Sequence, residues 1–192
     1  MNFSKRILLS ISSLLLAVAT NSAYADMSLV SEQSTVNFVS VKKGTIAEAH
    51  TINKISGSLS DTGELKISLD LSSVDTKIEI RDQRMKDYLF ETSKFATATI
   101  TASLGKIPTQ DGIKQVSGEA KLNLHGVSKV IKVDVSVMKS GNKLMAVSRL
   151  PIIIKADDFK LTAGIAKLQE LAKLPSIATA VPVSFVLIFN KD

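Results

Sequence analysis

Two alternating runs of residues, joined by a single His-Gly pair, constrain the fold of this chain most strongly. The first run covers residues 116–124 and the second covers residues 127–137, with His125-Gly126 between them. Every second residue of the first run, and of the second from Ile131 onward, is apolar or small. A side-chain period of two is typical of strands with one buried and one solvated face, so the sequence predicts an antiparallel hairpin here.

The same alternation recurs along most of the chain. It predicts eight strands, at residues 35–41, 48–59, 64–71, 96–106, 113–124, 127–138, 143–154 and 181–189. Residues 78–90 and 165–174 instead carry apolar side chains at helical spacing, which predicts two short helices. Eight short-linked antiparallel strands are typical of an all-β barrel or of a two-sheet sandwich, and the pattern alone leaves both open.

The first 25 residues have the composition of a secretory signal peptide. Lys5-Arg6 precede an apolar stretch at residues 7–18, and Ala23-Tyr-Ala25 supplies the small residues of a cleavage site. The apolar stretch is shorter than the roughly 20 residues that a membrane-spanning helix needs. We therefore expect cleavage after Ala25, no integral membrane segment in the mature chain, and a single exported domain at residues 26–192, located in the periplasm.

Composition excludes several classes of function. The chain has no Cys and two His, so we expect neither disulfides nor a metal site. Its 24 Lys and Arg are interspersed with 18 Asp and Glu, which gives little reason to expect a nucleic-acid partner. There is no Gly-x-Ser-x-Gly elbow and no glycine-rich phosphate loop. We expect a protein that is not an enzyme, without catalytic residues or cofactors.

A series of short motifs stands in a specific order along the predicted mature chain. They are Ser73-Val-Asp-Thr76, Arg81-Asp82, Leu89-Phe90, Phe95 with the Ala-Thr run that follows it, Leu124-His-Gly-Val127 and Lys155-Ala-Asp-Asp-Phe159. Each motif is weak alone, but their order and gaps are specific, and the chain resembles the YceI-like periplasmic proteins over nearly its whole mature length. The resemblance implies a lipocalin-like antiparallel barrel that holds a polyisoprenoid, such as a polyprenyl quinone, or another long-chain amphiphile.

Three departures from the pattern of that family concern the pocket and its entrance. Phe95 stands where members often have Pro, and Arg84 stands where they often have His. Residues 161–181 form an Ala- and Leu-rich loop that is longer than in the simplest members. The helix predicted at residues 165–174 could act as a lid over one mouth of the barrel.

Small residues on two neighbouring runs suggest an interior with free space. Ala98 and Ala102 share the apolar face of one run, and Gly118 and Ala120 share that of another. Protein interiors are closely packed, so either two sheets approach closely at these positions or an apolar guest fills the space. A dry tunnel would gain about 0.8 kcal/mol for each methylene that it buries.

The predicted ligand-binding residues lie on the apolar faces of their runs or at the ends of strands. Phe90, Phe95 and Phe159 are expected to form an apolar rim or to plug the ends of the barrel. The expected contacts with the tail are Phe38, Ile55, Leu65, Ile67, Leu69, Ile100, Leu122, Leu124, Val133, Val135, Phe185 and Leu187.

The two histidines supply the main alternative function. His125 occupies a hairpin turn, where an exposed structural role is favoured, and His50 lies near the start of a predicted strand. Either could serve an enzyme that acts on the same lipid. A third alternative is a solidly packed barrel that serves as an interaction module, and apolar outward residues such as Val130 leave a homodimer open.

Overall fold

The structure, a computed structural model, describes residues 27–107 and 110–191 and consists mainly of antiparallel strands. The predicted signal peptide lies outside the described residues. The two α-helices are α1 (Glu79–Arg84) and α2 (Thr162–Leu171). A π-helical turn covers Met85–Leu89, and 3-10 turns cover Ser31–Gln33, Leu71–Ser73 and Asp157–Phe159. The strands are β1 (Met27–Leu29), β2 (Thr35–Lys42), β3 (Ile46–Ile52), β4 (Ile55–Leu59), β5 (Glu64–Asp70), β6 (Val74–Asp75), β7 (Thr97–Ser103), β8 (Gly112–Leu124), β9 (Val127–Ser140), β10 (Lys143–Ser148), β11 (Ile152–Lys155) and β12 (Ala180–Lys191).

These segments form a closed barrel of eight rows. Strands β1 and β2 run along one side of β12, while β10 and β11 run along its other side. Strand β1 also pairs with β4, which returns the path of paired strands to its start through β5, β7, β8, β9 and β10. The predicted eight-stranded, lipocalin-like barrel is confirmed. The sandwich alternative is wrong because the path of paired strands closes on itself.

Two of the predicted strands are interrupted. Residues 48–59 divide at Asn53 and Lys54, because the amide of Asn53 donates to the Ser73 carbonyl at 3.2 Å and the amide of Lys54 donates to Ser73 Oγ at 2.9 Å. Residues 143–154 divide near Pro151, which has no amide to donate to a ladder. In both cases the two pieces stay in one row of the barrel.

The central hairpin forms as the sequence predicts. Strands β8 and β9 pair from Gly112–Lys139 to Leu124–Val127. His125 and Gly126 have φ angles of 52° and 73°, and two successive positive φ angles are typical of the tight turns that match the twist of a hairpin. The inward face of the hairpin therefore carries the small and branched apolar residues that the alternation assigns to it.

Both helical segments lie at one end of the barrel, next to the β8–β9 turn; we call it the helical end. Helix α2 packs against the π-helical turn, and Gly164 allows the close approach. A Cβ at Gly164 would stand 2.5 Å from the Tyr88 carbonyl oxygen and 2.8 Å from Leu89 Cα. The opposite end, with the turns at residues 61–63 and 141–142, is the turn end. Within the described ranges, no helix has the length and apolar character needed to cross a membrane.

Two glycines with positive φ allow a test of the turn at residues 61–63. Gly63→Ala should lower the free energy of unfolding much more than Gly44→Ala. Both positions have positive φ, which costs an L-residue about 1–2 kcal/mol, but only at Gly63 would the new Cβ meet backbone, 1.9 Å from the Gly105 oxygen. Urea unfolding of the two variants checks this, and equal losses would contradict the described contact.

Candidate functional site

A cavity of about 480 Å³ lies inside the barrel, and its wall is almost entirely apolar. Inward-facing side chains of nearly every row contribute to this wall, together with side chains from the helical end. The wall is apolar because alternation sends one side chain in two inward, and those positions hold mainly Ala, Val, Ile, Leu and Phe. Such a space suits a slender apolar molecule.

Small residues on β7 and β8 explain why this side of the interior is not filled. Ala98, Ala102, Gly118 and Ala120 all line the cavity. Ile100 pairs with Leu122 between them and supplies the larger contacts of the same wall. A Cβ added at Gly118 would find no heavy atom within 4 Å, so the space beside it is open.

The structure brings most of the predicted ligand-binding residues together around this cavity. Twelve of the predicted residues are on its wall: Phe38, Leu65, Ile67, Leu69, Phe90, Ile100, Leu122, Leu124, Val133, Val135, Phe185 and Leu187. They come from β2, β5, β7, β8, β9 and β12 and from the residue after the π-helical turn. Their contact with a ligand stays a prediction.

Ile55, Phe95 and Phe159 lie away from the cavity wall. Ile55 is buried in the apolar core at the start of β4, and Phe159 is buried in the 3-10 turn after β11. The ring of Phe95 packs on His125, with 4.3 Å between ring centroids, and a Cβ at Gly126 would stand 2.8 Å from it. These three side chains consolidate the core and the helical end of the barrel.

Sequence reasoning missed the residues that close the cavity at the helical end. Leu89, Leu161 and Ile165 line it there, beside Phe90. The helix at residues 165–174 is expected from the sequence as a lid over one mouth, but its spacing does not identify the side chains that reach the barrel interior. Other unpredicted wall residues, such as Val36 and Phe189, follow the strand alternation two positions from predicted ones.

A polar group of side chains lies between β2, β3 and α1. Phe38 pairs with His50 and Ser40 pairs with Glu48, so these four residues share the inward face. His50 is only 3% exposed; its Nε2 lies 2.8 Å from Ser40 Oγ, and its ring packs against Phe38. His50 is not part of the cavity wall. Burial lowers the pKa of His50, and the positive charge of Arg81 lowers it further.

Hydrogen bonds between the Ser73–Thr76 motif and the Arg81-Asp82 motif hold this region together. Arg81 Nη1 lies 2.8 Å from Glu48 Oε2, and its Nη2 donates to the Thr76 carbonyl at 2.7 Å. Asp82 accepts from the Thr76 amide at 2.8 Å and from its hydroxyl at 2.5 Å. Lys42 also pairs with Glu48 at 2.7 Å, and its hydrogen bond holds the pKa of Glu48 below the usual value. The motif therefore fastens α1 to the barrel.

His125 is enclosed by the side chains of Glu91 and Phe95. Its Nε2 lies 2.9 Å from Glu91 Oε2, and its side chain is only 10% exposed because Phe95 and Glu91 cover it. The expectation of an exposed corner is wrong, since the turn folds back onto residues 91–95. The arrangement supports a role in holding the hairpin turn to the segment before β7.

The described part of the chain has no group of three or more His, Cys, Asp or Glu side chains that could hold a metal ion. Among the described hydrogen bonds, His50 contacts Ser40, and its Nδ1 has no partner. A general base is usually oriented by a second group on its other nitrogen. The geometry at His50 favours a buried neutral histidine with a packing role.

Comparison with known proteins gives one family. The model of the YceI-like domain matches residues 27–189. A solved polyisoprenoid binding domain from Saccharophagus degradans, implicated in plant cell wall breakdown, is 38% identical, with a TM-score of 0.83 over 88% of this chain and 100% of that one. No curated protein matches the chain.

Two more distant structures share the fold. Burkholderia cenocepacia BcnA is 19% identical, with a TM-score of 0.66 over 83% of this chain and 98% of that one. A Campylobacter jejuni YceI protein is 18% identical, with a TM-score of 0.57 over 74% of this chain and 84% of that one.

The lowered pKa of His50 predicts a pH dependence of stability. The unfolded chain binds a proton at His50 near pH 6.5, whereas the folded chain resists it, so this stabilising contribution is complete above pH 6.5 and is lost as pH falls through the lowered pKa. His50→Gln should flatten the fall in unfolding free energy as the pH drops below 6.5, because glutamine does not titrate. Urea unfolding across this range measures it, and an unchanged slope in the variant would contradict the burial argument.

Proposed function

The chain belongs to the YceI-like family, and from this membership we propose that it is a binding or carrier protein that holds a polyisoprenoid tail inside its barrel. The observation that carries the proposal is the apolar cavity, lined by small residues on β7 and β8 and by branched residues on the other rows. A polyprenyl quinone or a similar long-chain amphiphile has the matching chemistry.

The physical argument concerns the free energy of an unfilled interior. An apolar cavity too dry to hold hydrogen-bonded water leaves its lining without contact partners. A tail that enters gains about 0.8 kcal/mol for each buried methylene, so affinity needs no specific polar contact. The relative with 38% identity is itself described as a polyisoprenoid binding domain, which supports the same class of ligand here.

Binding is better supported than catalysis. The two histidines lie outside the cavity wall, and each has a local packing partner, Phe38 for His50 and Phe95 for His125. We therefore propose no catalytic residue and no cofactor. The composition of the first 25 residues supports export to the periplasm with cleavage after Ala25, which would leave residues 26–192 as the mature domain.

The direct test is to purify the protein from the periplasm, extract it with organic solvent and analyse the extract by mass spectrometry. The expected result is a long-chain isoprenoid at near-stoichiometric amounts. A ligand-free extract, together with no binding of an added polyprenyl quinone, would overturn the proposal.

A matched pair of substitutions on β10 tests the cavity as the binding site. Ala146 lines the cavity and is only half-buried because it faces that space, whereas Val147 beside it points to the other face of the strand. Ala146→Phe should weaken binding of a polyprenyl quinone by about tenfold or more, since displacing two methylenes costs about 1.6 kcal/mol. Val147→Phe should bind normally. Titration of the quinone, with thermal unfolding of both variants as a check on folding, separates the two outcomes; equal affinities would place the ligand elsewhere.

A further inference from the structure

Strands β7 and β8 are neighbours in the barrel wall but are paired along only part of their length. These strands pair at only three positions, from Thr99–Asn123 to Thr101–Lys121. Strand β8 nevertheless extends back to Gly112 and stays paired with β9 along this whole length. In the described ranges, residues 112–120 have no strand partner on the side that faces β7. A gap therefore extends from Thr101 toward the turn end.

The β7 side of the gap is tied to β5 and its turn. The Leu104 amide donates to the Gly63 carbonyl at 2.8 Å, and Ser103 Oγ donates to Glu64 Oε1 at 2.5 Å. Gly105 lies directly against Gly63. These contacts fix the end of β7 to β5 and to the turn before it.

The β8 side of the gap is bonded to β9 and to the β9–β10 turn, on the side away from β7. Asp111 Oδ1 accepts from the Gly141 amide at 3.0 Å and lies 3.6 Å from Lys139 Nζ, so the start of β8 is fixed to the β9–β10 turn. Each rim is thus held by its own outer neighbour. These contacts hold the two rims apart from each other in separate parts of the sheet.

The cavity continues into this gap. In a closed wall a strand presents one face to the interior, since alternate side chains point outward. On β8, however, Gly118 and Ala120 line the cavity from the inward face, and Ser117 and Glu119 line it from the outward face. The outward-facing Ser103 does the same on β7. The space therefore passes around the strand edges to the surface.

The rim of the gap carries two exposed apolar side chains among its polar ones, whereas the apolar side chains at the helical end are buried. Leu104 is 42% exposed and Val116 is 37% exposed, and both line the cavity. Lys106 and Lys114 line it as well, and their methylene stems can cover apolar surface while the ammonium groups stay in water. At the helical end, by contrast, the cavity-lining side chains of Phe90, Leu161 and Ile165 are buried.

We propose that the gap between β7 and β8 is the lateral entrance through which the long apolar tail enters and leaves the barrel. The inference rests on the proposed function, because it needs a tail in the cavity. A side opening lets successive segments of a tail pass between Leu104 and Val116 without crossing the buried residues of the helical end. The barrel can then exchange its ligand while α2 stays in place.

A cross-link between the rims tests this. In S103C/E119C the introduced cysteines extend the β7–β8 register by two positions, and the natural chain has no Cys to interfere. Oxidation, or a short bifunctional thiol reagent, joins the rims. The probe is all-trans-retinol, an isoprenoid whose fluorescence reports an apolar environment, and stopped-flow mixing gives its uptake rate and its transfer rate to phosphatidylcholine vesicles.

In the cross-linked protein the rates of retinol uptake and release should each fall by at least about tenfold. The Kd should stay unchanged, because a gate changes both rates together. Reduction should restore both rates. The control Q115C/S136C joins β8 to β9, which are already paired at this position and do not line the cavity with these residues, and should exchange at the wild-type rate. Equal rates in the cross-linked and reduced S103C/E119C protein would overturn the entrance, whereas failure of every form to bind retinol or a polyprenyl quinone would overturn the proposed function.

A steric variant makes the test independent of cross-link formation. Gly118→Trp places a large side chain on the inward face beside the gap, where a Cβ meets nothing within 4 Å. The control Gln115→Trp lies on the outward, exposed face of the same strand. Slow exchange in Gly118→Trp alone supports the entrance, and wild-type exchange rates in both variants contradict it.

Discussion

Closure of the sheet is the constraint on which the rest of this structure depends. The chain closes it where β1 pairs on one side with β12 and on the other with β4. Once the ring is complete, alternation sends half of the strand side chains into a space of fixed width. The volume of those side chains then decides whether the interior is a core or a cavity. Here β7 and β8 contribute Ala98, Ala102, Gly118 and Ala120, and the interior stays partly open.

The two ends of the barrel differ for physical reasons that the contacts make explicit. At the helical end, Gly164 lets α2 approach the π-helical turn, and Ile165 packs over the interior. The Arg81 guanidinium and the Asp82 carboxylate fasten α1 to neighbouring backbone and to Glu48. At the turn end, hydrogen bonds fix the end of β7 to β5 and the start of β8 to the β9–β10 turn. The barrel is therefore covered by α2 at its helical end and is open between β7 and β8 in its wall.

Particular residues show where sequence reasoning succeeds and where it ends. The period of two placed Phe38, Ile100 and Leu122 on inward faces, because alternation is a local property of extended backbone. Phe95 could not be assigned in this way, since its contact with His125 joins segments that are 30 residues apart. The break at Asn53 was equally hidden, because its amide is taken by Ser73, which belongs to a distant turn.

The sequence by itself determined the strand pattern, the hairpin at His125-Gly126, the two short helices and the family to which the chain is similar. These features follow from spacing and turn chemistry within short stretches. Only the tertiary structure decided that the sheet closes, that α2 covers one end and that β7 and β8 diverge after Thr101. Those outcomes depend on contacts between residues far apart in the chain, and the pattern of a single strand carries no information about which partner it will meet.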